Sequence, residues 1–365
     1  MSIKVNKSVL KSKPYKLSTQ KAWLQEDKTS VLKLDWNEST ISPSPKVISA
    51  LTNLIETDCL NWYPNTNNTE LTKLISTYCS VDIKNVQYFN GSDAVHEVIF
   101  KTFSSDGDTL TILGPTYDHP RSVAECFGLH LDYFYLSRNF KFNFNNFKEH
   151  LQNKKPSIVY ICSPNNPTGN TYSNTIITQM LEEFPNILFI IDEAYKEFSN
   201  TSSESIVLEY NNIIVTRTFS KAFGLASLRL GYCLSSFQNI DLMNKYRNPK
   251  SINLFAQVAG IESLNDLNYI EQYVGEVEKA KLLFINEVNS NLSEFVKPIV
   301  GYGNFVLFEN LSTKSSDEIV KFFESRKIYI RDYGHIKNLE NHIRVTIGNN
   351  EQTLKLISSF KDCFK

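Results

Sequence analysis

Short apolar runs alternate with segments of helical periodicity between about residues 45 and 247. The clearest runs are at 109–113, 158–162, 188–191 and 213–215. Most of them are apolar throughout, which is typical of strands that are buried on both faces. Because such strands alternate with helices, the pattern predicts a mostly parallel sheet that is covered on both sides.

The last third of the chain has a different pattern. Residues 253–291 carry little but a helical signal, with Ile270, Val274 and Val277 on one face. After them we predict a strand at 303–308, a helix at 317–326, strands at 328–331 and 342–347, and a helix at 351–360. This order indicates a compact α+β unit at the C-terminal end.

Length and composition narrow the class of protein. A chain of 365 residues exceeds one ordinary hydrophobic core, so we expect two domains. The 41% hydrophobic and 21% charged residues are typical of folded globular proteins. A net charge of -1 gives no reason to expect nucleic acid or a membrane as partner. No apolar run approaches the roughly 20 residues that span a bilayer, and no secretory core is visible, so the expected location is the cytoplasm.

The cysteines and histidines do not form a recognisable metal or disulfide pattern. The six cysteines lie at positions 59, 79, 126, 162, 233 and 363, without a C-x-x-C pair. We expect them to be reduced and mainly buried thiols. The histidines are equally dispersed, and no metal site is predicted.

One lysine stands out for its neighbours, in the stretch RTFSKAFGLASLRLGY at 217–232. Ser220 could donate to a phosphate, Lys221 could form a Schiff base with an aldehyde, and Arg229 could give the phosphate a cationic partner. A loop with solvated charges is the alternative for this stretch alone.

Two further polar segments follow apolar runs. SPNNPTG at 163–169 places Asn166 after a buried strand, where open α/β sheets bind ligands. DEAYKEF at 192–198 places Asp192 at the end of another strand, with Tyr195 three residues later. An aspartate there could hold a pyridine nitrogen protonated, and the alternative is an Asp that caps a helix.

Together these motifs resemble the fold-type I pyridoxal-phosphate enzymes, and most closely the histidinol-phosphate aminotransferase family, over residues 14–348. The resemblance implies an α/β fold with a large domain built on a mostly parallel sheet of the seven-stranded type, and a small α+β domain. Residues 46–250 would form the large, cofactor-binding domain. Residues 1–45 and 251–365, an N-terminal arm and a C-terminal part joined by a long helix, would form the small one.

The resemblance also assigns pyridoxal 5'-phosphate as the cofactor and gives each matching residue a role. Lys221 would be the Schiff-base lysine, Asp192 the partner of the pyridine nitrogen, and Tyr117 the ring that stacks on the cofactor. The phenolic oxygen would be contacted by Asn166 and Tyr195. The phosphate would be bound by Gly91, by the amides of Ser92 and Asp93 at a helix N-terminus, and by Ser220 and Arg229.

Substrate contacts follow from the same resemblance. Arg344 would bind an amino acid carboxylate, and Arg331 the distal group of the substrate, with a salt bridge to Asp332 or Glu309 as the alternative. Asn37 and Tyr15 would lie near the substrate. Tyr63 would reach the cofactor phosphate of a neighbouring subunit, which implies a homodimer.

The resemblance implies an aminotransferase that moves an amino group from a donor such as glutamate to an oxo substrate, by a ping-pong mechanism. Trp36 stands before Asn37 where the family has a small residue, and 39–41 read Ser-Thr-Ile where a proline is usual. These departures put histidinol phosphate itself in doubt, and a smaller phosphorylated or carboxylated substrate fits at least as well. The alternatives are a decarboxylase of a phosphorylated amino acid, such as phosphoserine or threonine phosphate, and a cofactor-binding regulator without turnover.

Overall fold

The computed structural model of the protein describes residues 3–15, 20–57 and 60–364. Cys59 and the other residues between these ranges lie outside the described part. The strands are β1 Leu32–Lys33, β2 Val86–Phe89, β3 Thr109–Gly114, β4 His130–Tyr135, β5 Ile158–Cys162, β6 Leu188–Asp192, β7 Ile213–Thr218, β8 Gly231–Ser235, β9 Val296–Ile299, β10 Phe305–Asn310, β11 Ile328–Tyr329, β12 Arg331–Asp332 and β13 His342–Thr346.

Helices cover the sheets and connect the strands. They are α1 Lys7–Lys11, α2 Pro45–Thr57, α3 Thr69–Tyr78, α4 Gly91–Phe103, α5 His119–Cys126, α6 Phe144–Lys154, α7 Asn174–Glu183, α8 Phe237–Tyr246, α9 Leu254–Leu264, α10 Leu267–Asn291, α11 Ser316–Ser325 and α12 Asn350–Phe364. None of the helices in the described ranges is long and apolar enough to cross a membrane.

The largest sheet has seven strands in the order β2-β8-β7-β6-β5-β3-β4. Strand β8 runs antiparallel to both of its neighbours, and the other adjacent pairs are parallel. Every residue of β2, β5, β7 and β8 is buried. The prediction of a mostly parallel sheet with both faces covered is confirmed.

The parallel strands bring their carboxyl ends to one edge of this sheet. Cys162, the last residue of β5, pairs with Asp192, and Asp192 pairs with Thr216 of β7. The loop that carries Asn166 and the loop that carries Lys221 therefore leave the sheet beside Asp192. This edge is where open α/β sheets bind their ligands.

A second, antiparallel sheet in the order β12-β13-β10-β9 forms the C-terminal part. A cluster of aromatic side chains packs between this sheet and its helices. The ring centroid of Phe360 lies 5.0–5.1 Å from the ring centroids of Phe284, Phe308 and Phe323. Strand β1 pairs in parallel with β11, which ties the segment before α2 to the C-terminal part. This pairing agrees with a small domain in two pieces, although the domain boundaries themselves stay a prediction.

Two predicted elements are divided in the structure. The helical stretch 253–291 is two helices, α9 and α10, because the chain leaves the helix at Asn265 and Asp266. The strand predicted at 328–331 is also two: β11 pairs with β1, and β12 pairs with β13. The break falls at Ile330, where the chain changes its pairing partner, and a run of apolar residues does not reveal such a change.

Candidate active site

Lys221 lies just past the end of β7, in the interior of the site. Its Nζ donates to the carbonyl oxygen of Trp36 at 2.8 Å and lies 5.7 Å from the ring centroid of Tyr195. Burial lowers the pKa of Lys221 to about 8, against the opposing effect of the Glu38 carboxylate, and the Arg344 cation adds to the lowering. A larger share of the amine is therefore neutral near pH 7 than for an exposed lysine.

Asp192 closes β6 with only 2% of its surface exposed. The hydroxyl of Tyr160 donates to Oδ2 at 2.6 Å, and the amide of Ala194 donates to Oδ1 at 3.1 Å. The next helical segment begins at Lys196 and has Tyr195 as its N-cap, so Asp192 does not cap a helix. Two neutral donors hold this carboxylate in place, and as an acceptor it could bind one more N–H group.

A hydrogen-bond network joins the loop after β5 to the C-terminal sheet. Nη1 of Arg344 donates to Oδ1 of Asn166 at 2.6 Å and to the hydroxyl of Tyr333 at 2.9 Å. Nη2 of Arg344 donates to the carbonyl oxygen of Asp35. The Tyr333 hydroxyl also donates to Asn166 Oδ1, at 3.2 Å. Asn166 and Arg344, predicted for cofactor and substrate respectively, are therefore in direct contact.

The positive charge of Arg344 is not matched by a carboxylate in this network. The side chain is 3% exposed, its Nε has no hydrogen-bond partner, and no ion pair among the described residues includes it. Glu309, suggested above as an internal partner, lies 3.8 Å from Lys297 instead. A buried cation of this kind favours an anionic ligand.

Arg331 stands opposite Arg344 in the β12–β13 pair and is half-buried. Its guanidinium carbon lies 5.9 Å from the ring centroid of Tyr333. The charge of Arg331 opposes the effect of burial on the pKa of Tyr15, which is raised, so the two side chains are close enough to interact. The structure thus places the two arginines and Tyr15 in one region.

Asn37 and Tyr195 form a buried pair on the other side of the network. Asn37 Nδ2 donates to the Tyr195 hydroxyl at 3.0 Å, and Thr346 Oγ1 donates to Asn37 Oδ1 at 3.0 Å. Asn37 adopts a left-handed backbone with φ 56°, a conformation that asparagine tolerates better than most residues. Burial raises the pKa of Tyr195, so its hydroxyl is a neutral donor or acceptor.

A second group of predicted residues meets at the start of α4. Arg229 Nη1 lies 3.4 Å from Ser220 Oγ, and Nη2 lies 3.1 Å from Asp93 Oδ2. No side chain caps the N-terminus of α4, which begins at Gly91. A helix N-terminus, a hydroxyl and a guanidinium in one place are the groups that bind a phosphate.

Glycines make the close approach of these groups to one another feasible. A Cβ on Gly91, where φ is 81°, would stand 2.5 Å from Arg229 Nη2. A Cβ on Gly231 would stand 2.5 Å from the amide nitrogen of Ser92. This cradle, with the half-buried Lys221 and the buried Asp192, fits an aldehyde cofactor that carries a phosphate and a basic ring nitrogen, as pyridoxal phosphate does.

Aromatic side chains line the neighbouring wall. The Tyr117 hydroxyl donates to Asp93 Oδ1 at 3.1 Å, and the Tyr117 and His119 rings stack with centroids 6.2 Å apart. Tyr15 meets Tyr117 edge-on at 6.0 Å. Tyr117 is half-buried, so it is placed to offer its ring to a ligand.

Tyr63 is the one predicted site residue that lies away from this group. It is 77% exposed, and the amine of Lys250 lies 4.3 Å from its ring centroid. Its neighbour Trp62 is 73% exposed. The site within one chain therefore forms without Tyr63.

Several site residues escaped prediction from the sequence. They are His96, Tyr160 and Tyr333, together with the backbone carbonyl of Trp36 that accepts from Lys221. Tyr333 is two residues after Arg331, a spacing that could have suggested a shared strand face. His96 reaches Asp192 only through the packing of α4 on the sheet, whereas Tyr160 reaches it from the neighbouring strand β5.

Asp93, His96 and His119 offer polar atoms within 4.8 Å of one another. Such a set could be considered for a metal ion, although no metal site was predicted. Arg229 Nη2 lies 3.1 Å from the Asp93 carboxylate, and a neighbouring cation opposes a metal at this position.

Comparison with known proteins places this geometry in a family context. The family model "Aminotransferase class I and II" matches residues 29–360. A dihydroxyacetone phosphate transaminase of Campylobacter jejuni is 39% identical, over 96% of this chain and 94% of the relative. A histidinol-phosphate aminotransferase of Caldanaerobacter subterraneus is 30% identical, over 90% of this chain and 92% of the relative.

Solved structures have the same fold. The histidinol-phosphate aminotransferase of Sinorhizobium meliloti, in complex with pyridoxal-5'-phosphate, matches with a TM-score of 0.89 at 20% identity, over 100% of this chain and 98% of the other. The L-threonine-O-3-phosphate decarboxylase of Porphyromonas gingivalis matches with a TM-score of 0.78 at 19% identity, over 91% and 99%. At these identities the likeness shows the fold alone.

Proposed function

The chain belongs to the aminotransferase class I and II family and is a pyridoxal-phosphate-dependent aminotransferase, and from this premise we propose that it aminates a small phosphorylated ketone. The resemblance to this family, the fold, the cofactor and the enzyme class expected from the sequence are confirmed. The identity of the substrates, the assembly and the role of each residue are the substance of the proposal.

The single observation that carries the proposal is the buried, carboxylate-free Arg344 beside Asn166. The Nε of Arg344 has no hydrogen-bond partner among the described residues, a guanidinium can bind a carboxylate in a bidentate manner, and an amino donor such as glutamate supplies a carboxylate. Dihydroxyacetone phosphate, the compound in the name of the relative at 39% identity, has no carboxylate. Under this proposal Arg344 serves the donor, whereas Arg331 and Tyr15 serve the phosphate of the acceptor.

The size of the acceptor follows from the segment before Asn37. The backbone carbonyl of Trp36 accepts from Lys221 at 2.8 Å, and the amine of Lys33 lies 4.6 Å from the centroid of the Trp36 ring. The indole of Trp36 lies next to Lys33 and takes more space than the small residue that is usual at this position. This supports a three-carbon substrate over one with an imidazole ring.

The residues have distinct tasks in amino transfer. The cofactor, when bound, supplies an aldehyde and an electron-withdrawing ring. Lys221 would hold the cofactor and, once free as a neutral amine, would accept a proton from Cα of the donor at its Nζ. Asp192 would keep a proton on the ring nitrogen, and Asn166 and Tyr195 would bind the phenolic oxygen. Ser220, Arg229 and the N-terminus of α4 would anchor the phosphate.

Glutamate as the donor, a ping-pong order and a homodimer complete the proposal. The exposed Tyr63 and Trp62 support the homodimer, because exposed aromatic side chains are common at subunit interfaces. In a dimer Tyr63 would reach the phosphate of the neighbouring site. A cytoplasmic location stays a prediction from the sequence.

The test offers glutamate with three acceptors to the purified, cofactor-loaded protein: dihydroxyacetone phosphate, dihydroxyacetone and the oxo form of histidinol phosphate. We expect 2-oxoglutarate to form with the first and at a far lower rate with the other two. Equal rates with dihydroxyacetone would rule out a phosphate-specific acceptor. Carbon dioxide release from phosphoserine or threonine phosphate, without oxo-acid formation, would instead identify a decarboxylase.

A further inference from the structure

His96 is a buried imidazole whose nitrogens both lack a hydrogen-bond partner. The side chain is 0% exposed and sits on α4 among apolar residues that pack on the central sheet. Buried polar side chains are nearly always hydrogen-bonded, and the exceptions call for an explanation. A leucine or isoleucine would fill the same space without an unpaired polar atom.

The nearest ionisable neighbour of His96 is the carboxylate of Asp192. His96 Nε2 lies 3.8 Å from Asp192 Oδ2, the same oxygen that accepts from Tyr160 at 2.6 Å. The His96 and Tyr160 rings meet edge-to-face at 5.6 Å and 85°. His96 and Tyr160 therefore flank one oxygen of the carboxylate.

Other charged and titratable groups around His96 determine its protonation. Asp93 on the same helix and Asp192 on β6 favour the charged imidazole, and His119 on α5 opposes it. Burial has the largest effect and lowers the pKa of His96. The ring is therefore neutral, with one N–H donor and one acceptor nitrogen.

We propose that His96 is a positioning residue for Asp192, and that its Nε2–H group donates to Asp192 Oδ2 when the cofactor is bound. This inference rests on the proposed function, because it assumes that Asp192 serves the ring nitrogen of pyridoxal phosphate. The 3.8 Å gap exceeds a hydrogen bond, and an approach of about 0.6 Å closes it.

The consequence is a carboxylate that three donors hold in place. Tyr160 donates to Oδ2 and the Ala194 amide donates to Oδ1, and His96 would be the second donor to Oδ2. Neutral donors give this support without competing with the ring nitrogen for the negative charge.

The test compares His96→Gln with His96→Asn. The amide nitrogen of glutamine can take the position of Nε2, whereas that of asparagine falls short of it. His96→Leu removes the donor altogether, Tyr160→Phe removes the other donor, and Ile99→Val on the same helix reports a general disturbance of the core. For each cofactor-loaded variant we would measure cofactor dissociation, the pH midpoint of the visible absorption band, and kcat and KM.

We expect H96Q to remain near the wild type. H96N and H96L should lose the cofactor about tenfold faster, as expected for one hydrogen bond to a charged group, with a shifted pH midpoint and a lower kcat at nearly constant KM. Y160F should change the same quantities, and I99V should change none of them.

If H96Q and H96N behave alike, or if H96L matches the wild type in all these quantities, His96 does not act on Asp192. Should H96L fail to fold, the comparison of H96Q with H96N still shows whether the donor at the Nε2 position acts on Asp192. A wild-type protein without a visible band or amino transfer would instead overturn the proposed function, so the two failures are distinguishable.

Discussion

Arg344 Nη1 donates to Asn166 Oδ1 at 2.6 Å, and this contact joins the C-terminal sheet to the loop that follows β5 of the central sheet. One residue is assigned to the substrate and the other to the cofactor. A substrate carboxylate bound by Arg344 would therefore lie next to the cofactor.

The first prediction concerns this arginine. Arg344→Lys keeps the charge but loses the bidentate geometry, so KM for the amino donor should rise about 10- to 100-fold, the worth of a hydrogen bond between charged groups. Steady-state kinetics with glutamate varied would measure it. Arg326→Lys, at an exposed pair with Asp362, is the control. A KM for glutamate equal to that of the wild type would exclude Arg344 as the carboxylate ligand.

The second prediction concerns the pH dependence of cofactor capture. The neutral amine of Lys221 attacks the aldehyde, and burial lowers its pKa to about 8. The neutral fraction grows as pH rises through this value, so the rate at which cofactor-free protein takes up the cofactor should rise with a midpoint near 8. Stopped-flow absorbance would follow it.

Glu38 supplies the control for this pH profile. Its carboxylate raises the pKa of Lys221, so Glu38→Gln should move the midpoint to lower pH. Glu351→Gln on the exposed surface of α12 should leave it in place. A midpoint that moves upward in E38Q would contradict the electrostatic explanation.

The third prediction concerns the N-terminal arm. Arg121 donates to the carbonyl oxygen of Lys13 at 2.9 Å and also pairs with Asp118 and Glu125 at 2.7 Å. These contacts hold the N-terminal segment next to Tyr15. Arg121→Gln should raise KM for the phosphorylated ketone several-fold and leave KM for the donor unchanged.

Kinetics with each substrate varied in turn would separate these two effects of Arg121→Gln. Lys321→Gln removes an exposed surface ion pair with Asp317 and is the matched control. An equal rise of both KM values would mean that Arg121 supports the fold rather than the acceptor site.

The fourth prediction concerns stability. Arg217 on β7 is 1% exposed, and its Nη2 lies 2.8 Å from a carboxylate oxygen of both Glu193 and Glu204. These ion pairs join β7 to the segment after β6. Arg217→Met leaves buried Glu193 without its partner, so the free energy of unfolding should fall by about 3–5 kcal/mol. Urea denaturation would measure this. Arg326→Met should change it by less than about 1 kcal/mol, and a similar small loss in R217M would contradict the prediction.

The sequence alone was sufficient to predict at which edge of the central sheet the site lies. Asn166, Asp192 and Lys221 each follow an apolar run, and strands of one parallel sheet bring their carboxyl ends together. The position of these residues at the ends of consecutive strands therefore predicts that they lie close together in space. Arg331 and Arg344 were predicted on strands that follow one another in the chain, and the structure pairs these strands antiparallel with the two arginines opposite each other.

Contacts that depend on packing between distant segments could not be predicted from the sequence. His96 reaches Asp192 because α4 packs against the sheet, and Trp36 reaches Lys221 because β1 pairs with β11. Neither the packing of α4 on the sheet nor the pairing of β1 with β11 is indicated by a hydrophobic periodicity in the sequence. The division of 328–331 into two strands was missed for the same reason.

The most direct test of the central claim is to find which lysine carries the cofactor. The loaded protein would be reduced with borohydride, which fixes the cofactor to the lysine that holds it, and then digested and mapped by mass spectrometry. We predict the added mass on Lys221, and neither added mass nor amino transfer in Lys221→Met. Added mass on another lysine, or full amino transfer by K221M, would contradict the account.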